Sequence, residues 1–199
     1  MLNDPDMLND RTSLLSYLAT RRSGRPRDMV EPGPDADQLR NILAIAARTP
    51  DHGKLAPWRF IRVAFDRRPA FADALEAAFR AGRPGEEPAR LEIEAARRLA
   101  TQAPELVILV SSPIAGTKIP VWEQELSCGA LAMNLLHATH ALGFTGGWIT
   151  GWAAYSPHVA ELLKLREGER IAGFLYLGTP GAPLEERQRP SLDHLVSEW

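Results

Sequence analysis

The chain contains a single cysteine, Cys128, among its 199 residues, and this scarcity excludes two kinds of structure. One thiol cannot form an intramolecular disulfide, and it lacks the cysteine partners that a thiolate metal cluster requires. A chain without disulfides suits a reducing compartment, so we expect a cytoplasmic protein. Cys128 lies inside a predicted helix, where we expect it to pack as a small hydrophobic residue.

Long apolar runs and excess positive charge are also missing. No apolar run approaches the ~20 residues that a membrane-spanning helix needs, so no membrane partner is expected. The first ten residues are polar and acidic and do not predict a signal peptide. A net charge of −2 leaves no surplus of Lys and Arg for broad binding to nucleic-acid phosphates. With 45% hydrophobic and 24% charged residues, the composition predicts one globular domain.

Several sequence motifs for ligand binding are absent. No Gly-x-Gly-x-x-Gly turn follows a predicted strand and no Gly-x-x-x-x-Gly-Lys loop occurs, so neither a Rossmann site nor a P-loop is indicated. His137 and His140 are three residues apart on one predicted helix, a spacing that can place two metal ligands on one face. Glu125 is twelve residues before His137, too far to be a nearby third ligand. We therefore predict no metal site and interpret both histidines as core or interface residues.

Hydrophobic periodicity predicts about four strands among six helices. The strands do not alternate strictly with the helices, and helices precede the first strand, which favours an α+β domain over a doubly wound one. The run Leu-Val-Ile-Leu-Val within 105–111 predicts a strand buried on both faces, and the helix at 123–142 is apolar nearly all round. Helices are predicted near 12–22, 35–47, 69–80, 89–101, 123–142 and 156–165, and strands at 58–65, 105–111, 146–151 and 171–177.

Three stretches could form the walls of one ligand site. Arg21, Arg22 and Ser23 end a predicted helix, and arginine presents a planar fork of donors that matches phosphate oxygens. Basic residues at a helix C-terminus also complement the helix dipole, and that interpretation remains open. The segment 48–54 adds Arg48, His52 and Lys54 beside a proline break, and the glycine-rich strand at 146–150 allows the backbone to approach a flat ligand.

Through these stretches the sequence resembles the nitroreductase family of FMN-dependent oxidoreductases, and within it the small YdjA-like subgroup of NAD(P)H nitroreductases. The matching stretches follow the family's order from about residue 13 to 180. They are Arg-Arg-Ser at 21–23, Gln-Leu-Arg-Asn-Ile-Leu at 38–43, Arg-Thr-Pro-Asp-His at 48–52, Pro-Trp at 57–58, Pro-Val-Trp-Glu-Gln-Glu at 120–125, Gly-Phe-Thr-Gly-Gly-Trp at 143–148 and Gly-Phe-Leu-Tyr-Leu-Gly-Thr-Pro at 173–180.

The resemblance implies a fold and an assembly. We expect a layered α/β/α sandwich with a mainly antiparallel central sheet, in a homodimer with FMN bound at the subunit interface. Residues 1–12 would be a flexible tail, 13–180 the FMN-binding domain, and 181–199 a C-terminal extension that wraps the partner subunit.

The resemblance also implies which residues bind the cofactor. Arg21, Arg22 and Ser23 would take the phosphate and ribityl end of FMN, Arg48 and His52 would contact the flavin (His52 across the interface), and Trp148, Ile149 and Thr150 would lie beside the isoalloxazine. Arg25 is assigned to flavin N1 and O2, where reduction places negative charge. The run 138–143 matches a nicotinamide-nucleotide segment of such proteins. Ile149 replaces an arginine of relatives, and Arg187 or Arg189 is our hypothesis for the missing phosphate contact.

The implied activity is reduction of nitroaromatic, quinone or related acceptors with NAD(P)H, by ping-pong hydride transfer through flavin N5. The flavin carries this chemistry, so no catalytic side chain is predicted. Two alternatives remain: a flavin-binding protein of the same scaffold with a different or lost activity, and a non-enzymatic dimeric interaction domain with the apolar helix 123–142 as its seam. The residues do not choose NADH over NADPH or name the physiological substrate.

Overall fold

A computed structural model describes residues 7–199, which form two compact units. The smaller unit holds the described residues up to Arg22 together with Pro183–Trp199, and the larger unit holds Ser23–Ala182. The first six residues of the predicted flexible tail, 1–12, lie outside the described residues. The domain boundaries expected after residues 12 and 180 stay predictions.

The smaller unit contains helix α1, Leu14–Thr20, and a single 3-10 turn, Leu192–His194. The Ser13 side chain caps this helix by accepting a hydrogen bond from the Ser16 amide at 3.0 Å. Asn9, which precedes this helix, donates through its Nδ2 to the Arg22 carbonyl at 3.0 Å, and its Oδ1 accepts the Arg22 amide at 2.8 Å. The arginine end of α1 is therefore held by a neighbouring loop.

The larger unit is built on an antiparallel sheet. Within the described chain it has five strands, ordered β1-β5-β3-β2, with β4 also paired to β5, and every pairing is antiparallel. The predicted α+β class with a mainly antiparallel sheet is confirmed. The strands are β1 Met29–Val30, β2 Trp58–Arg62, β3 Glu105–Ser111, β4 Thr145–Ile149 and β5 Arg170–Pro180.

Helices cover both faces of this sheet. Helix α2 begins at the capping box formed by Asp35 and Gln38, and α5 ends just before Gly143, whose φ of +94° suits glycine. Among residues 7–199, no helix is long and apolar enough to cross a membrane. The helices are α2 Ala36–Ala46, α3 Arg68–Ala81, α4 Arg90–Arg98, α5 Val121–Ala141, α6 Trp152–Tyr155 and α7 Pro157–Leu162.

Alternate side chains of β3 and β5 enter two separate core layers, as the pleat of a strand requires. One layer packs under α3 and α7, and the other packs under α2 and α5. All seven residues of β3 are buried, as predicted from its unbroken apolar run. The layered α/β/α sandwich is thus confirmed. The first layer contains Leu106, Ile108, Val110, Phe174 and Tyr176, and the second contains Val107, Leu109, Leu175 and Leu177.

Two strand boundaries differ from the predictions. The strand expected over 58–65 ends at Arg62, and Phe65 lies exposed in a 3-10 turn. The segment 178–180 was expected to end the last strand but continues it, because Thr179 and Pro180 pair with β1. Strand β1 was not predicted, since two residues are too few to show a period.

Helix α5 contains two of the residue types considered as reactive. Cys128 is buried, and burial raises the pKa of its thiol to about 11, so it packs as a small neutral hydrophobic residue, as predicted. His140 is 1% exposed and belongs to the core, which confirms one of the two interpretations of the histidine pair. Over residues 7–199, no group of three His, Cys, Asp or Glu side chains is arranged to hold a metal ion.

Candidate functional site

Strand β4 has a backbone edge that is turned away from the sheet. The Gly146 amide donates to Nε2 of His140 at 3.2 Å, and the Gly146 carbonyl accepts from the Gly24 amide at 3.0 Å. Neither group therefore points at β5. In an antiparallel pair the N–H and C=O of one residue point the same way and the direction alternates along the strand. By that alternation the amide of Trp148 also faces outward.

Glycines bring two backbone segments into direct contact beside this edge. A Cβ on Gly147 would lie 2.7 Å from the Gly24 carbonyl oxygen, and a Cβ on Gly24 would lie 2.5 Å from Oγ1 of Thr145. A Cβ on Gly146 would lie 2.8 Å from Cδ2 of Leu136 in α5. Since the obstacle at Gly147 is backbone, no side-chain rotation relieves it. The bare glycine backbone is what lets the segment around residue 24 reach β4.

The Trp148 side chain is fixed on the neighbouring strand. Its indole lies where a Cβ on Gly173 would be, and its Nε1 donates to the Ala172 carbonyl at 3.0 Å. Ile149 packs against the first core layer. The Trp148 and Ile149 side chains thus contact the protein, so what this end of β4 offers to a ligand is mainly the outward Trp148 backbone.

The segment after α2 carries the second cluster. Arg48 is exposed, and its carbonyl lies 3.5 Å from Nδ2 of Asn134 in α5. The Asp51 carboxylate accepts the amides of Leu55 and Ala56 at 3.1 and 2.8 Å, which holds the following loop. Arg48 and its loop are thus placed against α5.

His52 has a charged partner that the sequence-based reasoning missed. Its Nδ1 lies 2.8 Å from Oε2 of Glu123, in the first turn of α5, and both side chains are exposed. The pair lines a cavity of about 340 Å³ whose other walls include Leu126 and Ser127. An acidic residue in the first turn of a helix is a common dipole partner, so nothing in the sequence marked Glu123 for His52.

The smaller unit gathers three arginines. Arg189 donates to the Arg21 carbonyl at 3.3 Å and pairs with Glu186 at 2.9 Å. Burial lowers the pKa of the Arg21 guanidinium, and the positive charges of Arg189 and Arg22 lower it further, while Tyr17 and Glu186 act in the opposite direction. Like charges held this close favour an anion beside them.

The predicted site residues fall into four groups. Arg21 and Arg22 belong to the smaller unit. Ser23 and the exposed Arg25 flank Gly24, so the fold brings them to β4. Arg48 and His52 contact α5, and Trp148, Ile149 and Thr150 lie in or directly after β4.

The segment matched to a nicotinamide-nucleotide site is divided by burial. Ala138, Thr139 and His140 are buried, whereas residues 141–143 are exposed. The Thr139 hydroxyl donates to the Leu135 carbonyl at 2.8 Å within α5. Only the exposed half is open to a nucleotide, and the assignment stays a prediction.

Comparisons with known proteins agree with this fold and these stretches. The chain matches the model of the "Nitroreductase family" over residues 18–179. It is 38% identical over 167 residues to "Putative NAD(P)H nitroreductase YdjA" of Escherichia coli (strain K12), covering 83% of this chain and 87% of that protein.

Solved structures show the same architecture. A nitroreductase-like family protein from Bacillus cereus superposes with a TM-score of 0.77 at 21% identity, covering 97% of this chain and 99% of that one. A mutant of the FMN and NADPH-dependent nitroreductase NfnB from sphigopyxis sp. strain HMH superposes with a TM-score of 0.68 at 26% identity, covering 91% and 96%. On the family match over most of its length and the 38% identity to YdjA, this chain belongs to the nitroreductase family.

Proposed function

We propose that this protein is an FMN-dependent oxidoreductase that uses NAD(P)H to reduce nitroaromatic, quinone or related acceptors. Family membership supports oxidoreductase activity, and similar proteins carry NAD(P)H, FMN and NADPH in their names. The observation that carries the flavin is the outward-facing Trp148 backbone at the exposed end of β4, next to the place where glycines let the Gly24 segment contact the strand. A flat ring needs both close backbone approach and fixed donors.

The residues present fit FMN. The amides of Trp148 and Thr150 would face the isoalloxazine edge, and Arg25 would offset negative charge near N1 and O2. Arg21, Arg22 and Ser23 would bind the phosphate, which charge-assisted bonds from arginine favour. We add Arg189 to this group in preference to Arg187, because Arg189 bonds the Arg21 backbone.

The chemistry that bound FMN supplies is hydride transfer through N5, first from NAD(P)H and then to the acceptor, in a ping-pong cycle. This chain's residues bind and orient, and the proposal assigns no proton transfer to a side chain. The Glu123 carboxylate would hold the His52 ring in one orientation beside the flavin.

We further propose a homodimer with FMN at the subunit interface and His52 contacting the partner's flavin. Trp122 and Leu126, near Glu123 on α5, are 67% and 54% exposed. Large apolar side chains grouped on one helix face are typical of an interaction surface. Sedimentation of the purified protein tests this, and a monomer that retains FMN contradicts it.

The absorbance spectrum of purified protein tests the proposed function most directly. We expect flavin bands that bleach with NADPH or NADH and return when a nitroaromatic or quinone is added. The Arg22→Ala variant should retain less FMN because it loses a phosphate contact. Protein that gains no flavin absorbance with added FMN contradicts the proposal. Yellow protein that oxidises NAD(P)H slowly with every acceptor supports a flavin-binding protein, and a flavin-free dimer supports an interaction domain.

A further inference from the structure

His140 is a buried histidine whose position is explained by a hydrogen bond of its ring. It is 1% exposed in the last turn of α5, and its Nε2 accepts the Gly146 amide of β4 at 3.2 Å. An imidazole nitrogen that accepts carries no proton, so His140 is neutral with its proton on Nδ1. The His140 ring thus links the C-terminal end of α5 to β4.

Gly146 needs an acceptor from outside the sheet. The residue is buried, and the alternation along β4 turns its amide away from β5. A buried backbone N–H without a partner costs about 1–3 kcal/mol. The carbonyls of Ala138, Thr139 and His140 at the end of α5 already accept the amides of Leu142, Phe144 and Gly143. A side-chain acceptor near the helix end is therefore the available solution, and His140 provides it.

Gly146 also fixes the position of the segment around Gly24. Its carbonyl accepts the Gly24 amide at 3.0 Å, and Gly24 lies between Ser23 and Arg25. Two residues further along β4, the Trp148 amide faces the same outward side as the Gly146 amide. His140, Gly146 and Gly24 form one continuous chain of hydrogen bonds that sets the spacing between two walls of the proposed flavin site.

We propose that His140 is a positioning residue for the cofactor: its unprotonated Nε2 holds β4 and the segment around Gly24 in register, so that the Trp148 amide meets the isoalloxazine. The inference rests on the proposed function, since it needs a flavin at the β4 edge. A histidine with only a packing role would be replaceable by any side chain of similar volume without effect on FMN.

Two substitutions separate these roles. His140→Leu introduces an apolar side chain of moderate volume and removes the hydrogen-bond acceptor. His140→Gln keeps an acceptor near the position of Nε2. In full-length protein we expect His140→Leu to raise the FMN Kd about tenfold, which is the loss of about 1.4 kcal/mol expected for one misplaced hydrogen bond. The visible flavin bands should shift toward those of free FMN. His140→Gln should stay within about threefold of the wild-type Kd.

His137→Leu on the same helix is the matched control, and its FMN Kd should stay within about threefold of wild type. Wild-type Kd and spectrum in His140→Leu would overturn the inference, as would equal impairment of His140→Gln and His140→Leu. Wild-type protein that fails to bind FMN would instead contradict the proposed function.

A second measurement uses the wild-type protein, so it tests the inference even if the variants do not fold. Nitrogen-15 NMR of the wild-type protein reports whether Nε2 of His140 carries a proton and whether the Trp148 amide shifts when FMN is added. We expect an unprotonated Nε2 and a shifted Trp148 amide. A protonated Nε2, or a Trp148 amide that FMN leaves unchanged, overturns the inference.

Discussion

Strands β3 and β4 lie in the same sheet but are held in place by different interactions. All seven residues of β3, Glu-Leu-Val-Ile-Leu-Val-Ser, are buried, and its apolar side chains supply both core layers. Strand β4, Thr-Gly-Gly-Trp-Ile, pairs two glycines with Leu177 and Tyr176 of β5, which β3 pairs with Glu105 and Leu106, and contacts of its backbone with Gly24 and His140 hold it. Burial of apolar surface stabilises the first strand, and close backbone approach positions the second.

This difference separates stability from function. A strand that is filled with side chains on both faces has no free surface for a cofactor, whereas a strand with glycines leaves its backbone open to one. We therefore expect changes in β3 to alter the free energy of unfolding and changes in β4 to alter FMN binding. Two substitutions test this separation directly, and two more test polar contacts outside these strands.

The largest effect on stability is expected for Ile108→Ala in β3. Ile108 is fully buried in the first core layer, and truncating such a side chain loses burial and leaves a cavity. We expect a loss of about 2–5 kcal/mol in urea unfolding, with FMN affinity of the folded protein unchanged. Leu91→Ala, at a 76% exposed position, is the control and should change stability by less than ~0.5 kcal/mol. A small effect of Ile108→Ala would contradict the assigned role of β3.

Glu169→Gln tests an ion pair and its hydrogen bonds at the ends of the central strands. The 3% exposed Glu169 side chain accepts two bonds from Arg59 at 2.8 and 2.7 Å and one from Ser112 at 2.8 Å. Bonds from Arg59, with others from the Arg166 amide and Ser112, lower the pKa of this carboxyl to about 2, from an ordinary 4.5. Because the folded pKa is lowered, the stabilisation is full above pH ~4.5 and is lost as the pH falls toward ~2.

We expect Glu169→Gln to lose about 2–3 kcal/mol at pH 7 and to approach wild-type stability near pH 2, measured by urea unfolding across pH. Glu94→Gln removes an exposed pair with Arg90 and should change stability by less than ~0.5 kcal/mol at either pH. A difference in the free energy of unfolding between Glu169→Gln and wild type that does not depend on pH would contradict the role of an ionised Glu169.

Gly147→Ala transfers the test to β4. The added Cβ meets the Gly24 carbonyl oxygen at 2.7 Å, so the two segments must separate. We expect a loss of about 1–3 kcal/mol in stability and at least a tenfold weaker FMN affinity by fluorescence titration. Gly129→Ala in α5 is the matched control, because nothing lies within 4 Å of its added Cβ, and helix propensity predicts a gain of up to about 1 kcal/mol. Unchanged FMN affinity in Gly147→Ala would contradict the β4 site.

The smallest change in stability is expected for Glu123→Ala. Its pair with His52 is exposed on both sides, and such pairs contribute about 0–1 kcal/mol. FMN affinity should fall by a few fold, since the His52 ring loses its fixed orientation. Glu87→Ala, which removes an exposed partner of Arg80, should leave FMN affinity unchanged. A stability loss above ~1 kcal/mol in Glu123→Ala would assign this pair a structural role.

Elements with a local signal could be predicted from the sequence. Asp35 and Gln38 satisfy the first turn of α2 by themselves, and Gly143 stops α5 with a conformation that other residues rarely adopt. Strand β1 and the last residues of β5 could not be predicted, because each becomes a strand only by pairing with a segment about 150 residues away.

The same division holds for the candidate site. Resemblance to a family marked Arg21–Ser23, Arg48, His52 and residues 148–150, which are short stretches in a recognisable order. It did not mark the contacts of Glu123 with His52, of Arg189 with Arg21 or of His140 with Gly146. The first two contacts join residues far apart in the chain, and the contact of His140 with Gly146 depends on how the chain turns between α5 and β4, so no local pattern reports them.

The sequence by itself determined the α+β class, the buried central strand, the N-terminal cap of α2 and the C-terminal end of α5, because burial and capping depend on residue type over a few positions. Only the tertiary structure decided that the outer edge of β4 bonds His140 and Gly24 at Gly146 and turns the Trp148 amide outward. Glycine backbone has no side chain to leave a period in the sequence, and which amide turns outward depends on the pairing of β4 with β5.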